Sequence, residues 1–126
     1  MFAVLKKVLA ISLLLCCSLS HASEILLAPK LSMDFSFIPN TPQVFSNILF
    51  WSVTAKCLIV TEDPSDDLYV RVLSKQGQVN GIPVREGDQI IITVHSSDTL
   101  NLQANSGAKI EITNLGDHIV TETCKT

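Results

Sequence analysis

The sequence has no cluster of basic residues. Its 126 residues include nine Lys and Arg against twelve Asp and Glu, and the basic positions are scattered singly along most of the chain. Nucleic acids and anionic lipid surfaces are bound mainly by grouped positive charge. We therefore predict that the protein binds neither nucleic acid nor an anionic membrane surface.

Motifs of known catalytic chemistry are also missing. The chain has no G-x-S-x-G elbow, and no spacing pairs a particular serine with His95 or His118. No glycine-rich turn leads into a helical pattern, so a phosphate-binding loop is not predicted. We predict a non-enzymatic protein without a cofactor. A small extracytoplasmic enzyme or an enzyme inhibitor is the alternative, because residues distant in sequence can still meet in space.

The first 22 residues have the pattern of a secretory signal peptide. Lys6 and Lys7 precede an apolar run over residues 8–17, which is shorter than the roughly 20 residues needed to span a bilayer. Small residues at Ser20 and Ala22 then predict cleavage between Ala22 and Ser23. We expect a signal helix in residues 1–22, export through the Sec pathway to the periplasm or the medium, and no membrane span in the mature chain.

Two of the four cysteines, Cys16 and Cys17, lie inside this apolar run. The residue before Cys16 is Leu15, whereas a lipoprotein signal requires a small residue there, so lipid attachment is not predicted. Both cysteines are expected to leave with the signal peptide. Lys6 and Lys7 leave as well, so seven basic residues then face twelve acidic ones, a formal net charge of −5.

The remaining cysteines, Cys57 and Cys124, are predicted to form a disulfide, because exported proteins fold in an oxidising compartment. The bond would close a loop of roughly 67 residues and contribute about 4 kcal/mol in the chain-entropy view. A redox pair or a metal site is the alternative. The two cysteines lack C-x-x-C spacing, and His95 and His118 would be the remaining ligands.

Residues 23–126 show alternation of apolar and polar residues with a period of two, interrupted at nearly regular intervals by turn residues. The pattern predicts a single all-β domain, an antiparallel β-sandwich of immunoglobulin-like architecture. Asn80-Gly81 predicts a tight turn with positive φ. About eight short strands are expected, over residues 31–37, 50–61, 68–74, 79–84, 89–95, 99–104, 108–113 and 118–124.

The run over residues 50–61 is predicted to be a central strand of this sandwich. Trp51, Val53, Cys57 and Ile59 share one parity and are expected to face the core, together with Ala55. A buried tryptophan near a disulfide is typical of immunoglobulin-like cores, although there the tryptophan lies between the two cysteines. The comparison therefore extends to architecture alone.

The turn after this strand carries four carboxylates, Glu62, Asp63, Asp66 and Asp67. Clustered carboxylates can bind Ca²⁺, but the order of acidic residues that an EF-hand loop requires is absent. Pro64-Ser65 between the acids is ordinary turn chemistry. We expect a solvated loop that does not bind metal, and a metal-binding β-domain is the third functional hypothesis.

Two segments carry apolar residues at both odd and even positions, so both of their faces would be apolar in a strand. Phe50, Leu58 and Val60 lie opposite the predicted core face of the central strand. Residues 89–95 have apolar side chains at both odd and even positions, namely Ile90, Ile91, Ile92 and Val94. We expect residues 23–47 to cover these side chains, which would make both faces of the sheet buried. The alternative is a surface or a strand edge that binds a partner.

Three segments, residues 47–72, 77–98 and 112–124, resemble small exported enhanced-entry proteins of intracellular Gram-negative bacteria. The resemblance covers most of the mature chain but includes no motif of known chemistry. It implies a periplasmic or secreted protein that is linked to virulence. Together with the features above, it predicts a module that binds a protein or a cell-envelope component through a sheet face or edge.

Overall fold

The computed structural model describes residues 23–27 and 32–126, and these residues form eleven β-strands and no helix. No described segment is therefore a helix that could cross a membrane. The predicted signal peptide, with Ala22 at its cleavage site, lies outside the described residues. The strands are β1 (Ser23–Leu26), β2 (Ser32–Phe37), β3 (Gln43–Ser46), β4 (Val53–Val60), β5 (Asp66–Ser74), β6 (Gln76–Val79), β7 (Ile82–Arg85), β8 (Gln89–Val94), β9 (Thr99–Ala104), β10 (Lys109–Asn114) and β11 (Val120–Lys125).

The strands form two sheets that pack face to face. Sheet A has the order β1-β3-β10-β5-β8, and sheet B has the order β2-β11-β4-β9-β6-β7. Neighbouring strands are antiparallel throughout, apart from the parallel pair β1–β3. The prediction of an all-β, mainly antiparallel sandwich is confirmed.

The core lies between the sheets and follows the alternation of the sequence. In β10, Ile110 and Ile112 are buried while Lys109 is exposed, as a strand with one solvated face requires. In β2, Phe35 and Phe37 point inward, and both rings contact Phe45 of β3 in the opposite sheet, at centroid distances of 5.3 and 5.9 Å. These aromatic contacts join the two sheets.

The structure has more strands than the predicted eight, for two local reasons. Residues 79–84 are not one strand: Asn80 and Gly81 have φ angles of 50° and 77° and turn the chain between β6 and β7. Positive φ at both central residues matches a two-residue hairpin, as their sequence predicted. The segment expected to cover the sheet contributes β1 and β3 instead, which extend sheet A at its edge.

The outer face of β4 is not covered by the part of residues 23–47 that the structure describes, and that expectation is wrong. Leu58 and Val60 are 47% and 51% exposed. Residues 23–27 and 43–46 pair within the plane of sheet A, so they extend that sheet rather than lie over sheet B. The sandwich therefore leaves apolar side chains of β4 open to solvent.

The predicted burial of Trp51 is also wrong. β4 begins at Val53, so Trp51 belongs to the preceding loop, and its side chain is 54% exposed. Val53, Cys57 and Ile59 are buried as predicted, because they lie on the paired part of the strand. The alternation continues through Trp51 in the sequence, but the strand does not.

Candidate binding site

The disulfide joins neighbouring strands of sheet B. Cys57 of β4 and Cys124 of β11 are direct partners in the antiparallel register, their Cα atoms are 4.0 Å apart, and both side chains are buried. The predicted pairing is supported. An immunoglobulin disulfide instead connects the two sheets, so this core shares the sandwich but neither the bridge nor the buried tryptophan of that family.

Glu122 lies beside this disulfide with its side chain fully buried. Its Oε2 is 3.8 Å from Sγ of Cys124, and its Oε1 has no hydrogen-bond partner among the described residues. Burial disfavours the charged carboxylate and raises the pKa of Glu122 to about 7. Glu122 with the two cysteines is the sole trio of metal-binding groups within 4.8 Å among the described residues. Because the cysteines are bonded to each other, they offer no thiolate.

Each of the four carboxylates of the acidic turn has a side-chain partner among the described residues. Asp66 is buried and accepts a hydrogen bond of 2.5 Å from the Thr61 hydroxyl, whereas Asp67 accepts one of 2.7 Å from Thr93. Burial is the main cause that raises the pKa of Asp66. Gly116 lies in the loop between β10 and β11, and a Cβ added to it would overlap Oδ1 of Asp66, so that loop needs glycine at this position.

His118 joins this turn from the loop between β10 and β11. Its Nδ1 is 2.6 Å from Oδ1 of Asp63, and its Nε2 is 3.1 Å from Oε1 of Glu62. The hydrogen bond to Asp63 is the main cause that raises the pKa of His118. The two ring nitrogens thus form ion pairs that join the loop between β10 and β11 to the acidic turn. Sequence reasoning missed this pairing because 55 residues separate His118 from Asp63.

His95 lies at the end of a strand, as the sequence predicted. Its ring Nδ1 is 3.2 Å from Oδ2 of Asp98, and both side chains are exposed. The same carboxylate oxygen accepts a 2.8 Å hydrogen bond from the His95 backbone N–H. This contact closes the turn between β8 and β9, and among the described residues it brings no third functional group to the imidazole.

A surface groove of about 690 Å³ lies at the end of the sandwich opposite the acidic turn, around the loop between β3 and β4. Phe50 and Trp51 line it, and they are 95% and 54% exposed. Two adjacent exposed aromatic side chains are unusual on a solvated loop and typical of binding surfaces. The other lining residues are Ser52, Lys75, Gln76, Arg85, Glu86, Asn105 and Ser106.

The loop between β3 and β4, called the aromatic loop below, carries Phe50 and Trp51. Its conformation is fixed by Asn47, which is 1% exposed. Its Nδ2 donates to the carbonyl oxygens of Trp51 and Ala104, each at 2.9 Å, and its Oδ1 accepts from the N–H of Leu49 at 3.0 Å. Ser106 adds a hydrogen bond of 2.5 Å to the Leu49 carbonyl. Phe50 and Trp51 are thus presented by a loop whose backbone is held on both sides.

Two cations complete the groove. Lys75, at a positive φ of 60°, makes the sharp turn between β5 and β6, and Arg85 ends β7. Neither side chain forms an ion pair with any described residue. Glu86 is the acidic side chain that lines the groove with them. The groove therefore combines aromatic surface with two cations that are free to bind a carboxylate or a phosphate.

No family model, curated protein or solved structure matches this chain.

Proposed function

We propose that the protein is an exported, non-enzymatic module that binds a protein partner through the groove of Phe50 and Trp51. The observation that carries this proposal is the exposure of these two aromatic side chains on a braced loop. Aromatic residues and arginine supply most of the binding energy in protein interfaces. A fixed loop loses little conformational entropy on binding, which favours affinity.

The chemistry of the groove favours a partner that presents an apolar side chain next to a carboxylate. Lys75 and Arg85 lie beside the aromatic pair without an ion-pair partner among the described residues, so they can pair with an anion on the ligand. The residues that line the groove include no histidine, the side chain most often used as a general base. These features support binding over catalysis.

The proposed location is the periplasm or the exterior of the cell, reached after cleavage between Ala22 and Ser23. The buried Cys57–Cys124 disulfide is compatible with an oxidising compartment. The resemblance to enhanced-entry proteins adds host-cell proteins to the partners that should be tested. A cell-envelope component is the other class of ligand that the same groove could hold.

The test uses Trp51 as its own reporter, since it is the chain's one tryptophan. The exported protein is crosslinked in the cell envelope and in host-cell extract, and captured proteins are purified and titrated against it while Trp51 emission is recorded. We expect a shift of emission on binding, and loss of roughly tenfold or more in affinity for Phe50→Ala.

Ile48→Ala is the matched control, because Ile48 is 63% exposed in the same loop but does not line the groove. It should bind like the parent. A partner that binds Phe50→Ala and the parent equally, without changing Trp51 emission, would disprove the proposed site. Binding of purified cell-wall glycan with the same sensitivity to Phe50 would instead assign the groove to an envelope component.

A further inference from the structure

The sandwich has four edge strands, and three of them have features that prevent pairing with another chain. β1 has four residues and includes Glu24, β7 has four residues and includes Pro83 and Arg85, and β2 includes Asp34. Short length, proline and charge are the usual protections of exposed edges. β8, the edge of sheet A, has six residues, Gln-Ile-Ile-Ile-Thr-Val, with no charge and no proline.

The register of β8 on β5 determines which of its backbone groups face the open edge. The N–H of Val72 donates to the carbonyl of Asp88 at 3.0 Å, which marks Asp88 as a residue that bonds toward β5. In an antiparallel pair such residues alternate along the strand, so Ile90, Ile92 and Val94 also bond toward β5. The N–H and C=O groups of the intervening residues, Gln89, Ile91 and Thr93, therefore point away from sheet A.

We propose that β8 pairs with β8 of a second copy of the chain, antiparallel, across a two-fold axis at Ile91. In this register Ile91 lies opposite Ile91 of the second copy, and Gln89 lies opposite Thr93. All three are residues whose backbone groups face the edge, so the pairing forms about six new backbone hydrogen bonds. The two copies of sheet A become one continuous sheet.

The side chains of β8 are complementary to themselves in this register. On the outer face, Ile91 is 60% exposed and would pack against its symmetry mate. On the inner face, Ile90 lies opposite Ile92 of the second copy, and both are partly buried against the core already. No two like charges meet within the paired strands, because β8 carries none.

Among the antiparallel registers of β8 with its own copy, the one centred on Ile91 forms the most backbone hydrogen bonds. Moving the two-fold axis to Ile92 pairs Ile91 with Thr93 and Gln89 with His95, which lies beyond the strand. That arrangement forms about four backbone hydrogen bonds within the strand instead of about six, and it separates the two Ile91 side chains. The proposed dimer is isologous, with the same surface on both copies.

The test measures the mass of the exported chain in solution by analytical ultracentrifugation at about 100 μM, a concentration at which micromolar dimers are mostly assembled. We expect the parent to have the mass of two chains. Ile91→Lys should have the mass of one chain, because it sets two ammonium groups opposite each other at the axis. Ile82→Lys is the matched control: Ile82 is 55% exposed on edge strand β7, and its variant should remain dimeric.

Ile91→Cys gives a second readout that does not depend on weakening the fold. A residue on the two-fold axis meets its own copy, so this variant should form a covalent dimer on mild oxidation, whereas Ile82→Cys should not. A parent of one chain's mass would overturn the proposal. The proposal would also be overturned if the parent were a dimer, the Ile91→Lys variant stayed dimeric and the Ile91→Cys variant did not crosslink. The outcome is independent of the groove at Phe50 and Trp51, since partner binding there is measured separately.

Discussion

Oε2 of Glu122 lies 3.8 Å from Sγ of Cys124, inside the core and next to the bond that joins β11 to β4. A fully buried carboxyl without a charged partner is stable in its neutral form, because ionisation in an apolar surrounding is costly. The last strand of the sandwich therefore holds a group that titrates near neutral pH.

Stability should fall as pH rises across the range where Glu122 ionises. Burial raises the pKa of Glu122 from 4.5 in the unfolded chain to about 7 in the folded one. Between these values the folded state holds a proton that the unfolded state has lost, so the free energy of unfolding decreases with pH. The decrease is about 3 kcal/mol in total and is complete above about pH 7.

The measurement is urea unfolding across this pH range for the parent and for Glu122→Gln. The amide cannot ionise, so the variant should match the parent near pH 4.5 and be more stable than it above about pH 7. Asp34→Asn, a change at an exposed carboxylate of β2, should keep the parent's pH profile. Identical profiles for the parent and Glu122→Gln would contradict a neutral buried carboxyl.

Removing the disulfide should destabilise the protein by about 2–5 kcal/mol. Cys57 and Cys124 are paired residues of β4 and β11, so the bond holds these two strands together. Thiol titration of the denatured, unreduced exported protein should find no free thiol. Thermal unfolding of Cys57→Ala with Cys124→Ala should show a clear drop in Tm. Two free thiols in the parent, or an unchanged Tm, would refute the disulfide.

His118 should titrate above the usual range of a histidine. The hydrogen bond to Asp63 is the main reason for its raised pKa, and Glu62 adds a smaller contribution. The ion pair should favour the fold at pH values below the ordinary pKa of 6.5 and be lost as pH rises through the raised pKa. NMR titration should show the pKa of His118 falling in Asp63→Asn. An equally large fall in the pKa of His118 in Asp117→Asn, or no fall in Asp63→Asn, would contradict Asp63 as the main cause of the raised pKa.

The fold was predictable from sequence wherever alternation and turn chemistry agree. Asn80-Gly81 indicated its turn, and Ile110 and Ile112 indicated their buried face, because both signals depend on neighbouring residues. The prediction for Trp51 failed because alternation does not show where pairing starts. β3 ends at Ser46 in sheet A, the loop that follows crosses to sheet B, and β4 begins at Val53. The pairing of His118 with Asp63 and the register of Cys57 with Cys124 depend on topology, which a single sequence does not contain.

Asn47 should prove essential to the aromatic loop. Its buried amide bonds to the carbonyls of Trp51 and Ala104 and to the N–H of Leu49. Asn47→Ala leaves the buried carbonyl of Ala104 without this partner, and a buried unsatisfied group costs about 1–3 kcal/mol. We expect a loss of stability in that range or above, with greater mobility of the aromatic pair.

Fluorescence anisotropy of Trp51 and its quenching by acrylamide report that mobility in the folded state. Asn47→Ala should lower the anisotropy and increase the quenching, and it should also weaken any ligand of the groove, because the loop must then be ordered on binding. Asn101→Ala, at an exposed asparagine of β9, is the control and should change neither. If Asn47→Ala loses stability while Trp51 keeps the parent's anisotropy, Asn47 supports the core and does not hold the aromatic pair in place.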